Sequence, residues 1–160
     1  MITLRKDARY DLVVPTSMGV RLLPVDHQPV HTATTFTMSV TSAETNVASI
    51  PAALGLSTHV LTKFVAGSPI ARRIRQNLRA RGMSYEGPEV EPDGAWGYRH
   101  QFNIADSGFG GRGPRVYNDR AGEVGRTLSA TDFDLQRLFD TDGVRILHLS
   151  GLVAALSPTT

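Results

Sequence analysis

The sequence predicts an α/β protein in which helices pack on a parallel sheet. Three observations carry that prediction. Tyr10-Asp11-Leu12-Val13-Val14 is a short run stopped by Pro15, as suits a buried first strand. Ser68-Pro69 opens a helix, with serine as N-cap and proline at the first helical position. Ile70, Ile74 and Leu78 give it an apolar stripe, and Gly82 closes it. Apolar runs at 58–65 and 144–149 read as further inner strands, so strand and helix alternate along the chain.

The remaining elements follow in order. Residues 19–24 carry Val20 and Leu22 in alternation, and 36–40 carry Phe36, Met38 and Val40, so both read as strands. Pro24 and Pro29 break the space between them. His27 and His31 are four apart, a spacing that pairs metal ligands on a helix. Pro29 lies between them without helical periodicity, so two solvated loop histidines are expected. Thr41 or Ser42 can cap a helix with Val47, Ile50 and Leu54 as its apolar stripe and Gly55 as its end. Pro51 inside it costs on the order of 3 kcal/mol, so a kink or a late start is expected. Thr131 can cap a helix containing Phe133, Leu135, Leu138 and Phe139, closed by Asp142-Gly143. Ser157-Pro158 repeats the helix-start signal of Ser68-Pro69, with only Thr159-Thr160 after it. The expectation is a piece of a longer protein, with one sheet edge and an apolar face uncovered.

Composition narrows the classes. The 160 residues carry a formal net charge of +2, and a pI near 9.3 reflects only a small surplus of arginine. The lack of cysteine excludes disulfides, thiolate chemistry and cysteine-based metal sites. Arg5, Lys6, Asp7 and Arg9 rule out a signal-type apolar start, and no run is long enough to span a bilayer. A soluble, cytoplasmic protein with no membrane partner is expected. Arg72, Arg73, Arg75, Arg79 and Arg81 make the 69–81 helix basic. Nucleic-acid binding is one reading of that pattern and the solvated outer face of an α/β layer is another. Nothing elsewhere extends the patch, so no nucleic-acid partner is expected.

A polar hairpin interrupts the α/β rhythm. In residues 96–104, Tyr98, His100, Phe102 and Ile104 alternate with Arg99, Gln101 and Asn103, and 115–123 supplies a second strand. One face can rest on a protein body while the other offers amides, a phenol and guanidinium groups. Such groups hold polyhydroxylated or carboxylated small molecules, although an ordinary solvent-facing hairpin shows the same pattern. The connection Gly108-Phe109-Gly110-Gly111-Arg112-Gly113 spells a dinucleotide fingerprint, but Pro114-Arg115-Val116-Tyr117 after it is extended. A pyrophosphate loop needs a helix there. No phosphate-binding G-x-x-x-x-G-K-[ST] loop and no G-x-S-x-G elbow occurs. Asp11, Glu44, Asp119 and Glu123 are not paired by spacing. Asn46, one turn into a helix that follows a strand, suits either a ligand-facing amide or a surface position.

Several segments together resemble the N-terminal half of the ribokinase-like (PfkB) carbohydrate kinases, most of all the 2-keto-3-deoxygluconate kinase branch. Asp11-Leu12-Val13-Val14 fits the first strand. Ala43-Glu44-Thr45-Asn46-Val47-Ala48 is similar to the family's GGAxxNVA segment, and Leu54-Gly55 to its L-G. Val116-Tyr117-Asn118-Asp119-Arg120-Ala121-Gly122 resembles a VYYDRAGSA-type strand, and Leu147-His148-Leu149-Ser150-Gly151 an LHLSG strand. Thr41-Ser42 stands in place of the usual glycine pair, and Asn118 in place of a tyrosine.

The resemblance implies a partial Rossmann-like ribokinase fold with a small β-sheet lid. The lid would come from about 19–40 and 96–127, and the α/β body from about 9–15, 43–90 and 128–160. A sugar or sugar acid would bind between them, with Asn46, Tyr98, Gln101, Asn118 and Arg120 as substrate-binding residues. The complete enzyme would use ATP and Mg²⁺. The family's G-x-G-D segment, with its catalytic aspartate, and its nucleotide site belong to the second half, so this portion by itself would neither catalyse nor bind ATP. Lid strands could pair in a homodimer. The alternative is a non-catalytic sugar-acid-binding or assembly module that reuses the fold.

Overall fold

A computed structural model describes residues 3–94 and 97–160. Trp96, which opens the polar hairpin in the sequence, lies outside the described residues. The chain runs β1 (Tyr10–Pro15), β2 (Gly19–Pro24), β3 (Phe36–Thr41), α1 (Ala43–Ala53), β4 (Thr58–Leu61), β5 (Phe64–Val65), α2 (Pro69–Ala80) and β6 (Ser84–Glu86). It continues with β7 (Glu89–Val90), β8 (Gln101–Asp106), β9 (Arg115–Asp119), β10 (Val144–Leu147) and α3 (Gly151–Ala154). The first sheet has the order β10-β1-β4-β6 and is wholly parallel, with Val13 registered on His59 and on Leu147. The second has the order β3-β2-β8-β9. Its inner pair β2/β8 is parallel and its outer pairs are antiparallel.

Strand alternation in β1 divides the core. Leu12 and Val14 face α1 and α2, where they join Val60, Phe64, Ala71, Ile74 and Leu78. Val13 faces the other way, onto Leu61, Leu138 and the half-buried Phe133, Leu135 and Phe139, and Tyr10, at the start of the strand, joins that cluster out of step with the alternation. Complete burial of Ile74 and Leu78 contributes about 1.5–3 kcal/mol each relative to exposure, which docks α2. Its arginines are largely engaged by the protein itself. Arg73 donates to the Met38 carbonyl (2.8 Å), Arg75 pairs with Glu89 (2.6 Å), Arg79 donates to the Tyr85 hydroxyl (2.7 Å), and Arg81 donates to Ser49 (3.1 Å).

Five expectations change. The α1 stripe points outward: Val47, Ile50 and Leu54 are 46%, 67% and 75% exposed, while Glu44, Thr45 and Ala48 face inward. Ser42 caps α1 and the helix continues through Pro51 to Ala53, so the start is not late. The run 58–65 breaks at Thr62-Lys63, because the Lys63 ammonium turns aside to the Thr127 carbonyl (2.6 Å) and Asp132 (2.8 Å). The segment after Thr131 is no regular helix. Ser129 and Asp132 close a capping box over one short turn, and a π-helical turn, Arg137–Asp142, ends at Gly143. Finally, α3 follows Ser150, where the sequence showed no helix.

The remaining features fall in loops and at edges. His27 sits in a turn beside Ser107 (2.9 Å), and among the described residues no group of three or more His, Asp or Glu could hold a metal. Gly108 to Gly113 only connects β8 to β9. No helix among the described residues is long and apolar enough to cross a membrane. β10 lies at the edge of the first sheet, and its Ile146 and Leu147 are both exposed.

β2 and β8 meet at Gly19, where a Cβ would lie 2.0 Å from the Gln101 carbonyl oxygen. Gly19→Ala must therefore push the strands apart, at a cost of about 1–3 kcal/mol. Urea denaturation should show that loss for Gly19→Ala and almost none for Gly111→Ala, whose Cβ meets nothing within 4 Å.

Candidate functional site

The carboxyl ends of β1 and β10 and the amino end of α1 converge beneath the polar face of the second sheet. There they enclose a cleft of about 240 Å³ lined by Ser17, Arg21, Asn46, Gln101, Asn118 and Arg120 among others. The volume is below the ~300–1,000 Å³ of sites for drug-sized ligands, so it suits a small polar molecule. α1 begins here because the Ser42 hydroxyl accepts the Thr45 N–H at 3.0 Å.

Two carboxylates are built into the walls. Glu44, in the first turn of α1, is 1% exposed and accepts from the Thr16 hydroxyl (2.6 Å) and the Ser150 hydroxyl. Glu123 is wholly buried. It accepts from Ser17 (3.1 Å) and pairs with one terminal nitrogen of Arg120, 3.3 Å from both carboxylate oxygens. In β2, the Arg21 Nε donates to the Asn103 side-chain oxygen at 2.9 Å, across registered positions of β2 and β8.

In the second sheet, β8 inverts the expected burial. Gln101 and Asn103 are each 3% exposed, whereas Phe102 and Ile104 are only half-buried. The polar face is turned toward the cleft, and the apolar face looks into a hollow lined by Val20, Leu22, Met38 and Phe102. Asn46, Gln101, Asn118 and Arg120 thus share one cleft. Tyr98 does not join them. It lines the hollow on the opposite face, and its ring covers Gly122, where a Cβ would come within 1.9 Å of it. Ser17, Arg21, Glu44 and Asn103 also line the cleft, and the sequence reading did not select them as site residues. Asn103 shares the period-2 face of Gln101, which was a usable signal; Arg21 could be placed only once β2 was known to pair with β8.

No protein-family model matches the chain. Solved structures do. A PfkB-family carbohydrate kinase from Listeria grayi superposes with a TM-score of 0.80 at 26% identity, over 92% of this chain and 43% of its own. A 2-dehydro-3-deoxygluconokinase from Thermotoga maritima gives 0.72 at 25% identity, over 89% of this chain and 41% of its own. A sugar kinase from Pyrococcus horikoshii in complex with ATP shares the fold at 15% identity, with a TM-score of 0.55 over 69% of this chain and 35% of its own. The chain belongs to the ribokinase-like (PfkB) fold. It spans less than half the length of the structures it matches.

An imidazole ties the second sheet to the β1–β2 connection and to β5. His100, immediately before β8, has Nδ1 3.1 Å from the Met18 carbonyl, and its Nε2 accepts the Val65 N–H at 3.3 Å. That pattern requires a neutral ring with its proton on Nδ1. Burial disfavours the charged ring and lowers its pKa to about 4. His59, buried and stacked on Tyr10 at 4.4 Å, is lowered by the same cause.

The unfolded chain takes up these protons near pH 6.5 and the fold resists them, so stability falls as pH drops from about 6.5 toward 4. His100 accounts for about 3 kcal/mol of that fall. Urea midpoints measured from pH 7.5 to 4.5 should decline steeply for the natural chain and less steeply for His100→Gln.

Proposed function

We propose that the chain forms the sugar-binding portion of an ATP-dependent carbohydrate kinase acting on a sugar or sugar acid of the 2-keto-3-deoxygluconate type. The observation that carries this reading is the single cleft shared by Asn46, Gln101, Asn118 and Arg120, in the fold of the carbohydrate kinases. Asn46 and Asn118 stand exposed at its rim, and their amides have no side-chain hydrogen-bond partner among the described residues. Each can donate to one hydroxyl and accept from another, the pairing a polyol needs. Arg120 adds donors from below.

The second sheet then serves as a lid over the bound sugar and excludes water from the transfer. The carboxylate in the cleft lining, Glu44, is engaged by two hydroxyls. By the likeness to those kinases, the phosphoryl donor, its Mg²⁺ and the base that accepts the hydroxyl proton are assigned to the part of the fold that this chain does not span. The chain's own work is to bind and orient the acceptor.

Titration calorimetry with 2-keto-3-deoxygluconate tests the binding half of this reading. Asn46→Ala and Asn118→Ala should each weaken binding about five- to tenfold, the worth of one or two neutral hydrogen bonds. Isotherms unchanged by both substitutions would remove the cleft from the account. A chain extended to the length of the matched kinases should phosphorylate the same compound with ATP.

A further inference from the structure

Arg21, Glu44 and Arg120 line the cleft and Glu123 is buried behind Arg120; of these four charged side chains three are already occupied. Both oxygens of Glu44 accept hydroxyl protons, from Thr16 and Ser150. Arg120 and Glu123 form a pair whose carboxylate has no exposure to water, so toward a ligand that pair carries little net charge. Arg21 is the exception. Among the described residues it has no ion pair, and its only side-chain hydrogen bond runs from Nε to Asn103.

That one bond sets the guanidinium. Asn103 is 3% exposed and fixed in β8, and by engaging Nε it leaves both terminal nitrogens of Arg21 unpartnered. Two parallel N–H donors on one planar edge match the two oxygens of a carboxylate. A second, independent vacancy lies in the same wall: the Gln101 Oε1 is buried, unpartnered and part of the cleft lining, so it calls for a hydroxyl donor.

We infer that Arg21 makes the cleft selective for acids, its terminal nitrogens binding the ligand carboxylate while Arg120, neutralised by Glu123, donates to hydroxyls. The inference rests on the sugar-acid reading above. It assigns the carboxylate to Arg21 and leaves Arg120 to the hydroxyls.

The test is calorimetry on the 160-residue chain with 2-keto-3-deoxygluconate and with fructose, a neutral ketose. The natural chain should prefer the acid. Arg21→Gln should lose about ten- to hundredfold in acid affinity with fructose unchanged, and Arg21→Lys should restore part of the loss. Arg120→Gln should weaken both ligands alike, and Glu123→Gln, which unmasks Arg120, should tighten the acid alone. Acid binding should weaken with added salt in the natural chain and lose that dependence in Arg21→Gln, a readout that mere loosening of the sheet would not produce. An unchanged acid-to-neutral ratio in Arg21→Gln overturns the role of Arg21 and leaves the sugar reading standing. Failure of the natural chain to bind either ligand overturns both.

Discussion

A carboxylate removed from water must find donors inside the protein, and Glu44 finds them in two hydroxyls from distant parts of the chain. Thr16 comes just after β1, Ser150 comes just after β10, and Glu44 lies in the first turn of α1. Three turns of chain are thereby pinned at the carboxyl ends of adjacent parallel strands. Open α/β sheets form their ligand crevices at such ends, because consecutive connections leave the sheet there. The unpaired N–H groups at the start of α1 favour a negative charge in the same place.

The second sheet repeats the device with another carboxylate. Glu123 is buried beneath it and is satisfied by Ser17 from the β1–β2 connection and by Arg120 from the end of β9. His100 supplies a neutral joint between Met18 and Val65. The floor and roof of the cleft therefore rest on specific polar contacts, and close packing governs only the layers behind them. This explains why the polar face of β8 is more deeply buried than its apolar face.

What the sequence disclosed was mostly what is decided locally. The serine caps at Ser42 and Ser68, the proline after Ser68 and the stripe of α2 all act within one or two turns, and each appears where the spacing put it. The orientation of α1 was not local. Its inward side presents Thr45 and Ala48, small enough to lie flat on β1 and β4, and the larger Val47, Ile50 and Leu54 face away, so size prevailed over hydropathy. The break at Lys63 depends on Thr127 and Asp132, more than sixty residues further on, and no short window contains them. In the cleft, Asn46, Gln101, Asn118 and Arg120 were accessible through resemblance and alternation. Arg21 was not, because its significance arises from a strand pairing and from the absence of a counter-charge.

The outermost strand of the parallel sheet has one more consequence. β10 leads through His148 and Leu149 directly to Ser150, whose hydroxyl clamps Glu44, and then into α3, whose Val153 lines the cleft. The His148 N–H is held by the Val13 carbonyl at 3.0 Å, which anchors this passage along its inner flank. The rim of the sheet and the floor of the pocket are thus one continuous length of backbone, and a load applied at the periphery is felt where the ligand would rest.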